Sequence, residues 1–265
     1  MKVAAAQMDC VVGEVAANLR KMRLLAEQAK ELGAEWIVFP EMSDTGYVMQ
    51  VIRECATSWS EGAVPVLRMV ARELGLGTIA GVSEREGECI YNSQVVIDAG
   101  GNVIAKYRKT HLFAPAPVEE HKCFAAGAEL VVAPMGELRA GLAICYDLRF
   151  PEFFRALTLD HGANLFVISS AWPLARNQHL RTLAAARAIE NQSYAVVANR
   201  VGADNEVTFC GGSAIIDPSG NIVAQGSEEE LVVGEISHSA IESIRDKMRV
   251  FEHRRPELYQ TQLSG

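Results

Sequence analysis

The chain has 265 residues, of which 49% are hydrophobic, enough for one buried core of a single large α/β domain. A net charge of −8 and a pI near 5.4 exclude the basic footprint that nucleic acid or an anionic membrane surface requires, so the expected partner is a small molecule. No stretch approaches the roughly 18 to 20 apolar residues of a membrane helix, and Met1 to Asp9 turns polar too soon for a signal peptide, which predicts a cytosolic protein.

Lys2 to Met8 reads as a strand. Val15, Leu19, Met22, Ala26 and Ala29 then recur at three and four residues, the stripe of an amphipathic helix that Gly33 stops. Trp36-Ile37-Val38-Phe39 is a short apolar run closed by Pro40, a buried strand handing the chain to a loop at Glu41. Strand, helix and strand in this order predict a right-handed βαβ opening.

A second helix is expected from about Val64 to Leu74, followed by strands at Thr78 to Val82, Ile90 to Ile97 and Val103 to Tyr107. The region Thr110 to Ala126 reads as loop, and Leu130 to Ala133 pairs with Leu138 to Ile144 around Pro134-Met135-Gly136-Glu137. Beyond Cys145 come a helix from about Pro151 to His161, a strand Asn164 to Ser169, a helix from about Gln178 to Asn191 and a strand Tyr194 to Ala198. Ser213 to Ile216, Ile222 to Ala224 and Leu231 to Ile236 complete the strands, and a short helix precedes a polar tail. The turn Ile97-Asp98-Ala99-Gly100-Gly101-Asn102 recurs as Ile216-Asp217-Pro218-Ser219-Gly220-Asn221, which predicts two pseudo-symmetric α/β halves, although Gly-Asn turns are also common in unrelated hairpins.

Cys10, Cys55, Cys89, Cys123, Cys145 and Cys210 are scattered without C-x-x-C spacing, so reduced thiols are expected. His121-Lys122-Cys123 lacks further ligands at zinc spacing, and neither metal nor cofactor is expected. Cys145 differs from the rest because it sits where the apolar run Ala140 to Ile144 gives way to a polar loop. A thiol there is held by the sheet, while following backbone N–H groups are placed to stabilise an oxyanion. Glu41 and Lys109 occupy similar strand exits, and strand ends on one edge of an α/β sheet converge on a crevice. Each also reads as a simple element cap. Asp147 and Glu152 are expected to cap and anchor the helix that begins at Phe150 or Pro151.

Phe39-Pro40-Glu41, Tyr107-Arg108-Lys109-Thr110-His111-Leu112-Phe113 and Cys145-Tyr146-Asp147-Leu148-Arg149-Phe150-Pro151-Glu152 together resemble the Glu, Lys and Cys signatures of the nitrilase superfamily of carbon-nitrogen hydrolases. The resemblance runs from Val3 to about Glu235. It implies a four-layer α-β-β-α sandwich in one domain, with a core to about residue 237 and a C-terminal helix and tail from 238, associating as a homodimer or larger homo-oligomer. It also implies a second glutamate that orients the lysine, for which Glu120 is the candidate and Glu119 beside it the alternative.

By this resemblance Cys145 attacks an amide carbonyl, Glu41 takes the thiol proton, and Lys109 with the Tyr146 N–H binds the oxyanion. Ammonia leaves, and water hydrolyses the thioester. The ammonium of Lys109 is expected to favour the Cys145 thiolate. Cys-Tyr-Asp with Leu-Arg-Phe-Pro-Glu is similar to the small amidases, including ω-amidases acting on α-ketoglutaramate, whereas true nitrilases usually carry Cys-Trp-Glu. A carboxylate-bearing substrate calls for Arg or a cluster of donors, for which Arg149, Arg176 and His179 are candidates, with Tyr47, His111 and Trp172 expected around the pocket. Arg149 reads equally as an ion-pair partner of Asp147 or Glu152. The alternatives are an N-carbamoyl amino-acid or amine hydrolase, a true nitrilase, and an idle scaffold binding a partner protein. Charged residues in a crevice argue against the scaffold.

Overall fold

The computed structural model describes residues 1–204 and 207–259, and the expected polar tail therefore lies in part outside the described residues. Within them, β1 (Lys2–Gln7), α1 (Val15–Glu31) and β2 (Trp36–Phe39) form the predicted parallel βαβ opening. The buried stripe of α1 is Leu19, Met22, Ala26 and Ala29, joined by Asn18. Asn18 is polar for a reason: its side chain bonds the backbone of Val11 and the carbonyl of Asp44, tying the helix to the loop after β2. Gly33 follows the helix at φ +79°, a conformation glycine adopts without steric cost.

The chain continues through α2 (Met49–Cys55), α3 (Ala63–Leu74), β3 (Gly77–Glu86), β4 (Cys89–Ile97) and β5 (Val103–Arg108). Sequence periodicity missed α2, a seven-residue helix with only Ile52 buried, too short to show an apolar stripe. Then come β6 (Val132–Met135), β7 (Leu138–Ile144), α4 (Pro151–Leu159), β8 (Leu165–Ser170), α5 (Asn177–Asn191) and β9 (Tyr194–Asn199). The first strand of the β6–β7 hairpin is shifted from the expected Leu130 to Ala133, because the strand runs through Pro134 and only Gly136-Glu137 turn. A short ribbon of β10 (Ala203–Asp204) and β11 (Val207–Thr208) precedes β12 (Ala214–Ile216), β13 (Ile222–Gln225), β14 (Glu230–Glu235) and α6 (His238–Lys247).

Two sheets form, ordered β14-β1-β2-β3-β4-β5 and β13-β12-β9-β8-β7-β6. In the first, β1, β2 and β3 are parallel neighbours followed by antiparallel β4 and β5. In the second, β7, β8, β9, β12 and β13 repeat that pattern, and each sheet adds one antiparallel strand on its first strand's free side. The repeated turn lies at equivalent hairpins: Asp98 Oδ1 accepts from the Asn102 N–H at 2.8 Å, and Asp217 Oδ1 from the Asn221 N–H at 2.9 Å. The two halves are pseudo-symmetric in topology.

Alternation along β1 and β2 explains the layers. Val3, Ala5 and Val38 face the second sheet's core, while Ala4, Ala6, Ile37 and Phe39 face α1 and α3. Beneath α4, Phe154 meets Phe166 edge-to-face at 4.9 Å, and truncating such a buried ring costs about 3–5 kcal/mol. Helix on sheet on sheet on helix is the four-layer α-β-β-α sandwich. No described helix is long and apolar enough to cross a membrane.

Candidate active site

Three strand exits meet between the sheets. Glu41 follows β2, Lys109 follows β5 and Cys145 follows β7, and all three are buried. Glycine makes room at the first exit: a Cβ on Gly81 of β3 would lie 2.5 Å from the Pro40 carbonyl and 2.6 Å from Glu41 Cα. The Ser43 N–H bonds the Gly81 carbonyl at 2.9 Å, so strand β3 holds the Glu41 turn from below.

Lys109 Nζ donates to Glu41 Oε1 and to Glu120 Oε1, each at 2.8 Å. The side chains of all three are fully enclosed. Glu41 Oε1 also accepts from Asn92 Nδ2 at 2.7 Å, and Oε2 from the Ala171 N–H at 2.9 Å. Glu120 Oε1 accepts from the Tyr47 hydroxyl at 2.5 Å and Oε2 from the Phe113 N–H at 2.6 Å. Glu119, the sequence alternative, turns outward to Lys122 at 2.7 Å. Geometry therefore places Glu120, not Glu119, on the lysine. The loop that holds it contains a 3-10 turn, Glu120–Lys122, where the sequence showed only loop.

Burial sets the charges. Removal from water would pull the Lys109 ammonium down, but the Glu120 and Glu41 carboxylates outweigh it and hold the group above the ordinary lysine range. Glu41 is pushed up, first by burial and then by Glu120, against the lowering influence of Lys109 and Asn92. The Cys145 thiol is pushed well above its usual value by burial and by Glu41. The Lys109 charge does favour the thiolate, as expected, but burial and Glu41 outweigh it.

Backbone strain marks the same place. Cys145 has φ +44°, Met42 beside Glu41 has φ +51°, and Glu119 beside Glu120 has φ +46°. These are three of the four described non-glycine residues with positive φ, a conformation that costs on the order of 1–3 kcal/mol and gathers at functional sites. The Cys145 turn is held by Asp147, whose fully buried carboxylate accepts from the Ile144 N–H at 2.8 Å, the Tyr107 hydroxyl at 2.7 Å and the His111 N–H at 3.1 Å. Asp147 thus bridges the Cys145 turn to the segment bearing Lys109. It does not cap α4, as the sequence suggested, because its donors lie on the strand side. Glu152 sits in the first turn of α4, where its charge suits the helix dipole.

A cavity of about 390 Å³, mouth included, opens onto Cys145 and is lined by Tyr47, Phe113, Val118, Tyr146, Arg149, Ala171, Trp172, Pro173, Arg176 and Val207. Tyr47, Arg149, Trp172 and Arg176 of the sequence candidates are here. His111 is not among them. Its ring stacks on Phe150 at a centroid distance of 3.8 Å, and its Nδ1 lies 2.8 Å from Asp147 Oδ1, so it braces the turn from behind.

The Arg149 guanidinium lies 4.8 Å from the Trp172 ring centroid and 3.4 Å from His179 Nδ1. The ion pair with Asp147 or Glu152 that its spacing allowed is not formed. Asp147 faces the strands instead. Arg176 lies 5.7 Å over the Phe113 ring. Among the described residues neither arginine has a carboxylate partner, and both look onto the cavity. Phe113, Val118 and Val207 are lining residues that the sequence reading did not single out, since apolar side chains in loops carry no chemical signature.

Comparison with known proteins agrees with this geometry. A family model described as Carbon-nitrogen hydrolase matches residues 2–246. The chain is similar to a 2-oxoglutaramate amidase of Bacillus subtilis (strain 168), 35% identical, covering 96% of this chain and 97% of the relative. It is also similar to a nitrilase of Pyrococcus abyssi (strain GE5 / Orsay), 36% identical over 98% of this chain and 99% of the relative. Among solved structures, a CN-hydrolase superfamily protein from Xanthomonas campestris superposes with a TM-score of 0.89 at 27% identity, over 96% of this chain and 97% of that one. With the two-sheet sandwich and the buried Glu41–Lys109–Glu120 cluster beside Cys145, these matches show that the chain belongs to the carbon-nitrogen hydrolase family.

Proposed function

We propose that the chain is an amidase that hydrolyses the terminal amide of a small carboxylate-bearing compound, of the α-ketoglutaramate or succinamate type, to the acid and ammonia. The observation behind this reading is a cavity that ends on Cys145 and presents two guanidinium groups that have no carboxylate partner among the described residues. A substrate carboxylate supplies the missing acceptor, since a guanidinium binds it through two parallel hydrogen bonds. Arg149 is the preferred candidate because it lies beside Tyr146 and Trp172 next to the nucleophile's turn, with Arg176 also lining the cavity and His179 against Arg149.

The chemistry follows from the groups present. Glu41 keeps a lone pair on Oε2 and has a raised proton affinity, which fits it to take the thiol proton as Cys145 attacks the carbonyl carbon. An ammonium has three donors; two of those on Lys109 go to Glu41 and Glu120, leaving one for the developing oxyanion beside the Tyr146 N–H. Glu120 and Tyr47 hold the ammonium in place. The proton taken by Glu41 passes to the leaving nitrogen as the C–N bond breaks, releasing ammonia and leaving a thioester. Glu41 then takes a proton from water, whose oxygen attacks the thioester, and the thiol is restored with release of the acid. An idle scaffold is the weaker reading, because two carboxylates and an ammonium buried together are costly to keep without a use.

The test is an amide panel assayed for ammonia, with pairs that differ only in the terminal carboxylate. Removing the carboxylate is expected to lower kcat/KM at least 100-fold, and Arg149→Ala to lower it for the acid but not for its neutral partner. Equal rates on both members of a pair would contradict the substrate assignment. Carbon dioxide released with ammonia would replace it with an N-carbamoyl hydrolase.

A further inference from the structure

The second sheet places another hydroxyl against the nucleophile. Strands β7 and β8 are parallel and pair Ile144 with Ser169, so Cys145 and Ser170 are the next residues of two adjacent strands at the same exit. Ser169 is fully bonded, donating to the Phe39 carbonyl at 2.8 Å and accepting from Gln94 Nε2 at 2.9 Å. Ser170 is different. It is wholly buried, and its Oγ has no hydrogen-bond partner of good geometry. A buried orphan hydroxyl is destabilising, and a small alkyl side chain would fill the place better if packing were its purpose. The strand register nevertheless sets Ser170 next to Cys145, and a hydroxyl there favours the sulfur's anionic form.

The other groups facing that sulfur are Glu41, Lys109 and Glu120. Lys109 has two of its donors committed to the carboxylates, and the free one is assigned above to the oxyanion. Both glutamates disfavour negative charge on sulfur. A thiolate formed here therefore needs a donor that is neither spent nor negative, and Ser170 is that donor.

We infer that Ser170 is a catalytic hydroxyl that donates a hydrogen bond to Cys145 Sγ as negative charge develops on it, during attack and again when the thioester C–S bond breaks. Ser170 keeps its own proton throughout; the thiol proton goes to Glu41. The hydroxyl has no partner in the resting enzyme because its partner is created by the reaction, which is how a preorganised donor stabilises a transition state more than the ground state. The inference rests on Cys145 being the nucleophile proposed above.

The test measures Cys145 alkylation by iodoacetamide against pH, resolved by peptide mass spectrometry from the other five thiols, in the native protein and Ser170→Ala. The expected result is a rise of about one pH unit in the midpoint and about ten-fold slower alkylation at pH 7, with a similar fall in kcat and little change in KM. The melting temperature of Ser170→Ala stays the same or rises, since an unpartnered buried hydroxyl has been removed. An unchanged alkylation profile overturns the inference, and so does a lowered melting temperature, which would make the hydroxyl structural. Ammonia release retained by Cys145→Ala would instead overturn the underlying reading, and the two failures are separate because alkylation needs no substrate.

Discussion

The two halves share a strand order but not a chemistry. The exits of β2 and β5 in the first half bear Glu41 and Lys109, charged and buried. In the second half the equivalent exit of β8 offers the Ser170 hydroxyl and the Ala171 N–H, and β13 ends in the exposed Gln225. The reverse holds at the first strand of each. There β7 leads directly into the Cys145 thiol, while β1 ends in Gln7, which accepts from the Ser213 N–H and serves the fold. Topology thus supplies matched exits, and the site forms where a charged set from one sheet meets a thiol and backbone donors from the other. Duplication of the scaffold does not duplicate the site.

The largest effect is expected from separating the charges. Lys109→Ala leaves Glu41 and Glu120 buried without their cation, which is expected to cost about 3–5 kcal/mol of stability by denaturant titration and to abolish ammonia release. A variant as stable as the native protein would mean that the three groups are not ionised as described. Next comes Glu41→Gln, which keeps an acceptor for Lys109 but removes the base; kcat should fall by about 10²–10⁴ with the fold intact by circular dichroism. In the native enzyme the base acts only when ionised, and burial raises its proton affinity. Activity should therefore fade as pH drops at a value above the usual carboxylate range. An acid limb near pH 4 would deny Glu41 that role.

Gly81→Ala tests how the first sheet aims its glutamate. The added methyl meets the Pro40 carbonyl and Glu41 Cα, so the turn must shift, and a displacement of about 1 Å is expected to lower kcat about 100-fold. The smallest effects belong to the repeated turns. Asp98→Ala and Asp217→Ala each remove equivalent side-chain bonds, so similar losses of about 1 kcal/mol with unchanged kcat are expected by thermal denaturation. A large activity loss in either would show that a hairpin far from Cys145 communicates with it.

Much of this was legible in the residues. The α1 stripe, the buried run of β2 and the paired Asp-to-Asn turns follow from periodicity and turn chemistry, whereas the four-layer sandwich came from the family resemblance. Glu41, Lys109 and Cys145 stood out because polar groups terminate apolar strands there. Asp147 was misread because α4 begins four residues later, whereas its donors are the Ile144 N–H just before it and groups 36 to 40 positions away. His111 was misplaced for the same reason, being close to Lys109 in sequence but facing Asp147 and Phe150. Glu119 and Glu120 are indistinguishable by type, and only the left-handed turn at Glu119 decides which one enters the core. Short-range pattern reports which groups leave a strand. The direction each takes afterwards depends on partners from the other sheet.

The central claim is that the thiol from the second sheet performs the attack that the charges of the first sheet assist. Its most direct measurement is ammonia release by Cys145→Ala on whichever amide the native enzyme turns over fastest. The account predicts no release above the uncatalysed rate from a protein that melts like the native one. Release at a rate near native would contradict it.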